Sequence, residues 1–119
     1  PLNQEIARTL LEEKNMVVTI AADGAQGVEA FDRSLPGFFD LILMDIRMPV
    51  MNGYEATRRI RALPRPDART IPIIAMTADA FADDIQKCRA AGMNRHIPKP
   101  INPQALFAAL SETLQQKTK

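Results

Sequence analysis

Three short apolar runs, each ending at a reactive polar residue, limit the folds open to this chain more than any other feature. Leu41-Ile42-Leu43-Met44 leads into Asp45, Ile73-Ile74-Ala75-Met76 into Thr77, and His96-Ile97-Pro98 into Lys99. A short, continuously apolar run between loop signals reads as a strand buried on both faces, the habit of parallel sheets. In open α/β sheets, ligands and chemistry sit just beyond the carboxyl ends of the strands. A carboxylate, a hydroxyl and an ammonium at three such ends make a candidate nucleophile, a hydrogen-bonding switch and a charge clamp.

The segments between these runs carry helical periodicity. Residues 4–14 place Ile6, Leu10 and Leu11 on one side and Glu12, Glu13 and Lys14 on the other, which predicts an amphipathic helix. Pro1-Leu2-Asn3 reads as a loop and cap before it. Residues 17–22 are β-branched and apolar, a further strand. Asp23-Gly24 turns the chain into a helix over 25–34 with Val28 and Phe31 inward, and Pro36-Gly37 breaks it. After the strand at 41–45 comes a helix over 53–63. Its Ala56, Ile60 and Leu63 share one face, and Arg58, Arg59 and Arg61 read as a solvated face. Pro64-Arg65-Pro66-Asp67 reads as a surface loop before the strand at 72–77. A helix over 80–91 carries Phe81, Ile85 and Cys88 inward and ends at Gly92 as a C′ residue. A short strand at 95–97 and a helix over 103–116, with Leu106, Leu110 and Leu114 inward, complete the pattern. Buried strands alternating with helices predict an α/β fold with a parallel, doubly wound sheet.

At 119 residues the chain suits one domain with a real core. Its net charge of +1 makes no electrostatic case for nucleic acid. No apolar run approaches the ~20 residues of a membrane span. A single cysteine, Cys88, excludes an intrachain disulfide and a thiolate metal cluster; it fits a reducing cytoplasm and reads as a core thiol.

Four ordered blocks then stand out. They are Asp40 to Glu55 (DLILMDIRMPVMNGYE), Ile73-Ile74-Ala75-Met76-Thr77-Ala78, Ala91-Gly92-Met93-Asn94 and Pro98-Lys99-Pro100-Ile101. Over essentially the whole of 1–119 the chain resembles the receiver domain of two-component response regulators. The resemblance implies a five-stranded, flavodoxin-like sheet of order 2-1-3-4-5. Asp45 matches the phosphoacceptor, Thr77 the switch hydroxyl and Lys99 the lysine that contacts the phosphate. The backbone carbonyl of Arg47 falls where the family supplies a Mg²⁺ ligand, beside Asp45 itself. The family's first strand ends in an acidic pair that completes the Mg²⁺ site. That strand and pair are absent from this sequence and are expected upstream of Pro1. His96 stands where the family usually has an aromatic residue that swings inward on activation, and histidine is polar and titrates near neutral pH.

The chemistry suits these roles. A carboxylate can form an acyl phosphate, and phosphoryl transfer needs its developing charge neutralised by a metal and a cation. Thr77 can donate a hydrogen bond to the added phosphoryl group, a contact available only after modification. The resemblance implies a phosphorelay in which a histidine kinase or histidine phosphotransfer domain donates to Asp45. The phosphorylated domain would then switch the surface made by residues 80–91, 95–97 and 103–116, which also offers a homodimer face. The wording around Ala78-Asp79-Ala80-Phe81 and Lys99-Pro100-Ile101-Asn102 looks most like receivers of hybrid sensor histidine kinases. Such a domain lies in the cytoplasm, free or as part of a membrane-anchored kinase, and contacts neither nucleic acid nor membrane. It catalyses transfer to its own Asp45, and the kinase activity belongs to the parent protein. A stand-alone regulator and a pseudo-receiver that only binds proteins are the alternatives. An aspartyl-phosphate phosphatase of the haloacid dehalogenase type would place a second Asp where Arg47 stands, which argues against that reading.

Overall fold

The computed structural model describes residues 2–13, 23–46, 50–77, 82–98 and 102–118. Five helices and three strands alternate in these segments. They are α1 (Leu2–Glu13), α2 (Gly24–Arg33), β1 (Ile42–Asp45), α3 (Gly53–Arg61), β2 (Ile73–Thr77), α4 (Ala82–Ala91), β3 (Arg95–Pro98) and α5 (Pro103–Thr118). The strand expected over 17–22 lies outside the described residues. The three strands form one parallel sheet in the order β1-β2-β3. Ile42 to Asp45 pair with Ile73 to Met76, and Ile74 to Thr77 pair with Arg95 to Pro98.

Strand side chains alternate between faces, and both faces of this sheet are covered. Ile73 and Ala75 join Met44, Phe31, Ala56, Ile60, Cys88 and Met93 in a core built with α2, α3 and α4. Ile74 and Met76 join Leu11, Ile97, Leu106 and Leu110 in a second core built with α1 and α5. Every side chain of β2 is buried, which is why its sequence reads as a continuous apolar run. Cys88 is a buried free thiol, as its helix position predicts.

The helix ends follow their sequence signals with small shifts. The Asp23 carboxylate caps α2 by accepting from Gln26 N–H at 2.8 Å, and Asn52 caps α3 by accepting from Glu55 N–H at 3.0 Å. Asn102 does the same for α5, accepting from Gln104 and Ala105. Helix α4 ends in a Schellman motif. Gly92 N–H donates to Arg89 O and Met93 N–H to Cys88 O, with Gly92 at φ +108°. The backbone of α1 is already helical at Leu2 and Asn3, which were read as loop and cap; neither residue type breaks a helix.

Two charged residues depart from the sequence reading. Arg61 is not on a solvated face, and residues 64–67 are not merely a surface loop. Arg65 and Asp67 form an ion pair at 2.6 Å with side chains only 9% and 16% exposed. Arg65 also donates to the carbonyls of Phe31 and Asp32 at the end of α2, and to Ser34 Oγ. Its guanidinium lies over the Phe31 ring at 4.2 Å. The other Asp67 oxygen accepts from Gly37 N–H at 3.0 Å. A cation at a helix C-terminus is favoured by the helix dipole, and partners 30 residues away in sequence make the pairing invisible to local periodicity.

The Arg65 hydrogen bond above all, with the Gly37 N–H, holds the Asp67 carboxyl below the usual carboxylate range. The folded state thus binds its proton less readily than the unfolded chain. The stability this provides is complete above the ordinary Asp value of about 4 and is lost as pH falls through the lowered value. Urea midpoints measured from pH 6 downwards should therefore fall more steeply below about pH 4 in the parent than in Asp67→Asn.

Candidate functional site

Strand β1 ends at Asp45 and β2 ends at Thr77, so both residues stand at the carboxyl edge of the sheet. Asp45 is in register with Met76, which puts Thr77 one residue further along the neighbouring strand. The ladder continues past Asp45, because Ile46 N–H donates to Met76 O at 3.2 Å. Asp45 is half-buried and Thr77 is 6% exposed. Pro98, opposite Thr77, ends β3. Lys99 follows it and lies outside the described residues, as does Arg47. His96 is half-buried on β3, in register with Ala75 and two steps back from the Thr77–Pro98 end.

The floor of this edge is backbone packed against backbone. Gly53 N–H donates to Ile46 O at 2.9 Å, closing the loop that follows Asp45. A Cβ at Gly53 would stand 2.5 Å from the Asp45 carbonyl oxygen and 2.9 Å from Ile46 Cα. Gly24 plays the same part for the next segment, since a Cβ there would stand 2.2 Å from Met51 O. The two glycines set the first turns of α3 and α2 directly against the chain that carries and follows Asp45. The sequence pattern places Gly53 at the start of a helix and Asp23-Gly24 at a turn; the close approaches have no local signal. Thr57, fully buried on α3, satisfies its hydroxyl by donating to Gly53 O at 2.8 Å.

A buried hydroxyl and a half-buried carboxylate on adjacent strand ends can accept and sense a group delivered from outside. Asp45 offers a hard oxygen donor of the kind Mg²⁺ prefers, an ion that takes one or two carboxylates and keeps several waters. Among the described residues, no three His, Cys, Asp or Glu side chains gather as a metal site. The Asp45 carboxylate fits as one such ligand.

A parallel sheet covered on both faces, with Asp45 and Thr77 at one edge, is what the four sequence blocks require. The family model of the response regulator receiver domain matches residues 1–111. This chain belongs to that family. The receiver is 38% identical over 112 residues to hybrid signal transduction histidine kinase I of Dictyostelium discoideum, covering 92% of this chain and 6% of the kinase. It is 32% identical over 112 residues to a 14.6 kDa protein of Leptolyngbya boryana, covering 94% of this chain and 82% of that protein. Among solved structures, it matches the receiver domain of a sensor histidine kinase from Pseudomonas aeruginosa PAO1 with a TM-score of 0.85 and 40% identity. That match covers 97% of this chain and 90% of the other, which carries a magnesium ion in its active-site cleft. The receiver spans only 6% to 11% of the length of four histidine kinases that it matches. Membership places it in phosphorelay signalling, with a histidine kinase or phosphotransfer partner in general terms. Among the described residues, no helix is long and apolar enough to cross a membrane.

Proposed function

We propose that this receiver takes a phosphoryl group onto Asp45 from a phosphohistidine and works as the relay module of a hybrid sensor histidine kinase on the cytoplasmic side. The observation that carries this reading is the position of Asp45, a half-buried carboxylate at a strand's carboxyl end, next to the strand that ends in Thr77. One Asp45 carboxylate oxygen attacks phosphorus, the P–N bond to the donor histidine breaks, and the histidine nitrogen keeps the electron pair. Mg²⁺, held by Asp45, the Arg47 carbonyl and acidic residues upstream of Pro1, would supply electrostatic stabilisation of the transferring group. Lys99 would add a compact positive charge. The Thr77 hydroxyl would donate to the new phosphoryl oxygens, drawing the end of β2 towards Asp45. Ile97 on β3 packs with Leu106 and Leu110 of α5, and β3 is joined to α5 by the Arg95–Glu112 ion pair at 2.9 Å. A shift of the β2 end would thus reach α4, His96 and α5, the surface a partner or a second copy reads.

The test is incubation of the full-length parent with phosphoramidate, with and without Mg²⁺, followed by intact mass. A Mg²⁺-dependent, hydroxylamine-labile phosphoryl adduct is expected, and none in Asp45→Asn. A parent protein that never acquires the adduct makes the domain a pseudo-receiver that only binds partners. The match to most of a 14.6 kDa relative favours a second context, the stand-alone regulator; the gene's full reading frame decides between the two.

A further inference from the structure

Leu35 and Phe38 are large apolar residues left 77% and 64% exposed, at the two corners of one turn. Phe38 N–H donates to Leu35 O at 2.9 Å, Pro36 takes the second position and Gly37 the third, at φ +83°. This is the pattern of a type II turn, whose first and fourth Cα atoms stand within about 7 Å of each other. The turn is also held from outside. Gly37 N–H donates to Asp67 Oδ2 at 3.0 Å, and both Asp67 oxygens are gripped by Arg65. Phe39 stacks on Phe31 with centroids 6.5 Å apart and meets the Phe38 ring edge to face at 4.9 Å. Polar residues would serve the fold as well at both corners, since neither Leu35 nor Phe38 belongs to a core cluster. A rigid tip that keeps two apolar side chains in water is preorganised to bind.

The size of this tip selects the occupant. Two exposed side chains of this kind offer at most about 300 Å², against roughly 800 Å² per partner in a stable complex. A freely diffusing protein or a second copy would be held too weakly. A segment of the same polypeptide needs far less contact, because a short linker supplies a millimolar effective concentration. The fold brings such a segment to this place. The turn precedes β1 and so lies at the amino ends of the strands, opposite Asp45. In the receiver sheet the first strand, expected upstream of Pro1, lies beside β1 and parallel to it, so the chain leading into it arrives at the same end. Neighbouring strands start about 5 Å apart, and Phe38, four residues before Ile42, is at most about 14 Å from the start of β1. About six residues ahead of the first strand therefore suffice to reach the tip.

We infer that the Leu35–Phe38 turn is the docking point for the linker that leads into the receiver from the kinase part of its own chain, and that an apolar side chain of that linker packs on Leu35 and Phe38. The contact sets how the receiver is held on the rest of the parent, from the end of the sheet opposite Asp45. This rests on the hybrid-kinase reading of the parent.

The experiment is amide hydrogen exchange on the full-length parent, read at the residues just ahead of the first strand. Leu35→Ser with Phe38→Ser removes the apolar surface, whereas Leu35→Met with Phe38→Met keeps it. The serine pair is expected to speed linker exchange about tenfold over wild type, the worth of a partly buried apolar contact. The methionine pair is expected to stay within about twofold of wild type. Amides of β2, the buried centre of the sheet, are the internal control for folding. Where the serine pair disturbs them, Leu35→Ser alone, at the more exposed corner, carries the test with about threefold expected. Linker exchange equal in wild type and the serine variants overturns the inference. So does protection lost at another segment instead, or a difference seen only at high protein concentration, which assigns the turn to a second copy. A reading frame with no chain ahead of the first strand removes the hybrid-kinase reading itself, a result read from the gene and distinct from every exchange outcome.

Discussion

Gly53→Ala is expected to destabilise the receiver by about 2 kcal/mol, although helix propensity alone points the other way. Gly53 is the first residue of α3 and its φ is not in the left-handed region, so alanine in its place gains at most about 1 kcal/mol. The opposing effect is steric. A methyl group there would meet Asp45 O at 2.5 Å and Ile46 Cα at 2.9 Å, with Met44 Cγ at 3.0 Å. Two of these three atoms are backbone of the strand end and cannot rotate away. Overpacking against such a wall costs about 3 kcal/mol, so the clash wins. Relief comes only by sliding α3 from the strand, which also stretches the 2.9 Å bond from Gly53 N–H to Ile46 O. The same bond holds the residue directly after Asp45. A displacement near 1 Å at a reacting group costs roughly a hundredfold in rate, so phosphoramidate should label Gly53→Ala far more slowly than wild type. Urea unfolding and the labelling rate, taken on the same preparation, check both halves.

That glycine shows where sequence reading ran out. The strands were legible because burial on both faces writes itself as an unbroken apolar run, and β1, β2 and β3 lie within a residue or so of their expected bounds. Gly92 was legible because a helix stop is a local event. Asp45 and Thr77 were found as strand-end residues by pattern and given their roles by family resemblance. Gly24 reads as a turn and Gly53 as a helix start, but their work is to let one backbone meet another across the fold, which no periodicity encodes. Arg61 and Arg65 were misplaced for a related reason. A cation on a helix or in a loop reads as solvated, and the oxygens that capture these two come from other segments.

Arg61→Ala is the second large effect, expected to cost about 3 kcal/mol. A guanidinium has five N–H donors, and at Arg61 five hydrogen bonds are made. Nε and Nη2 donate to Gly92 O at 3.1 and 2.8 Å, Nη2 also to Asn94 Oδ1 at 2.9 Å, and Nη1 to Ala68 O and Ile71 O at 3.1 and 2.7 Å. All four acceptor oxygens are neutral. Burial lowers the Arg61 pKa, but arginine keeps its proton, so these oxygens replace water around a full charge. The segments they tie are the end of α3, the approach to β2 and the turn from α4 into β3. Asn94 extends the knot, since its Oδ1 also accepts from Ile73 N–H at 2.9 Å and its N–H donates to Ile73 O at 2.8 Å. Alanine would leave the carbonyls of Ala68 and Ile71 without this donor beside residues that are themselves buried. Lysine would recover less than half of the loss, because three donors on a point charge cannot match a planar fork aimed at four oxygens. Arg58→Ala and Arg59→Ala, whose side chains are over half exposed and pair with Glu55, should each cost less than about 1 kcal/mol. If the three arginines gave equal urea midpoints, the knot would have no energetic content. Because Arg61 grips the turn that positions β3, its loss should also speed amide exchange at Gly92 to Arg95 well above the change in α1. The surface proposed to report phosphorylation is thus fastened to α3 at the end of the sheet opposite Asp45, and a shift of the β2 end would pivot against that fixed point.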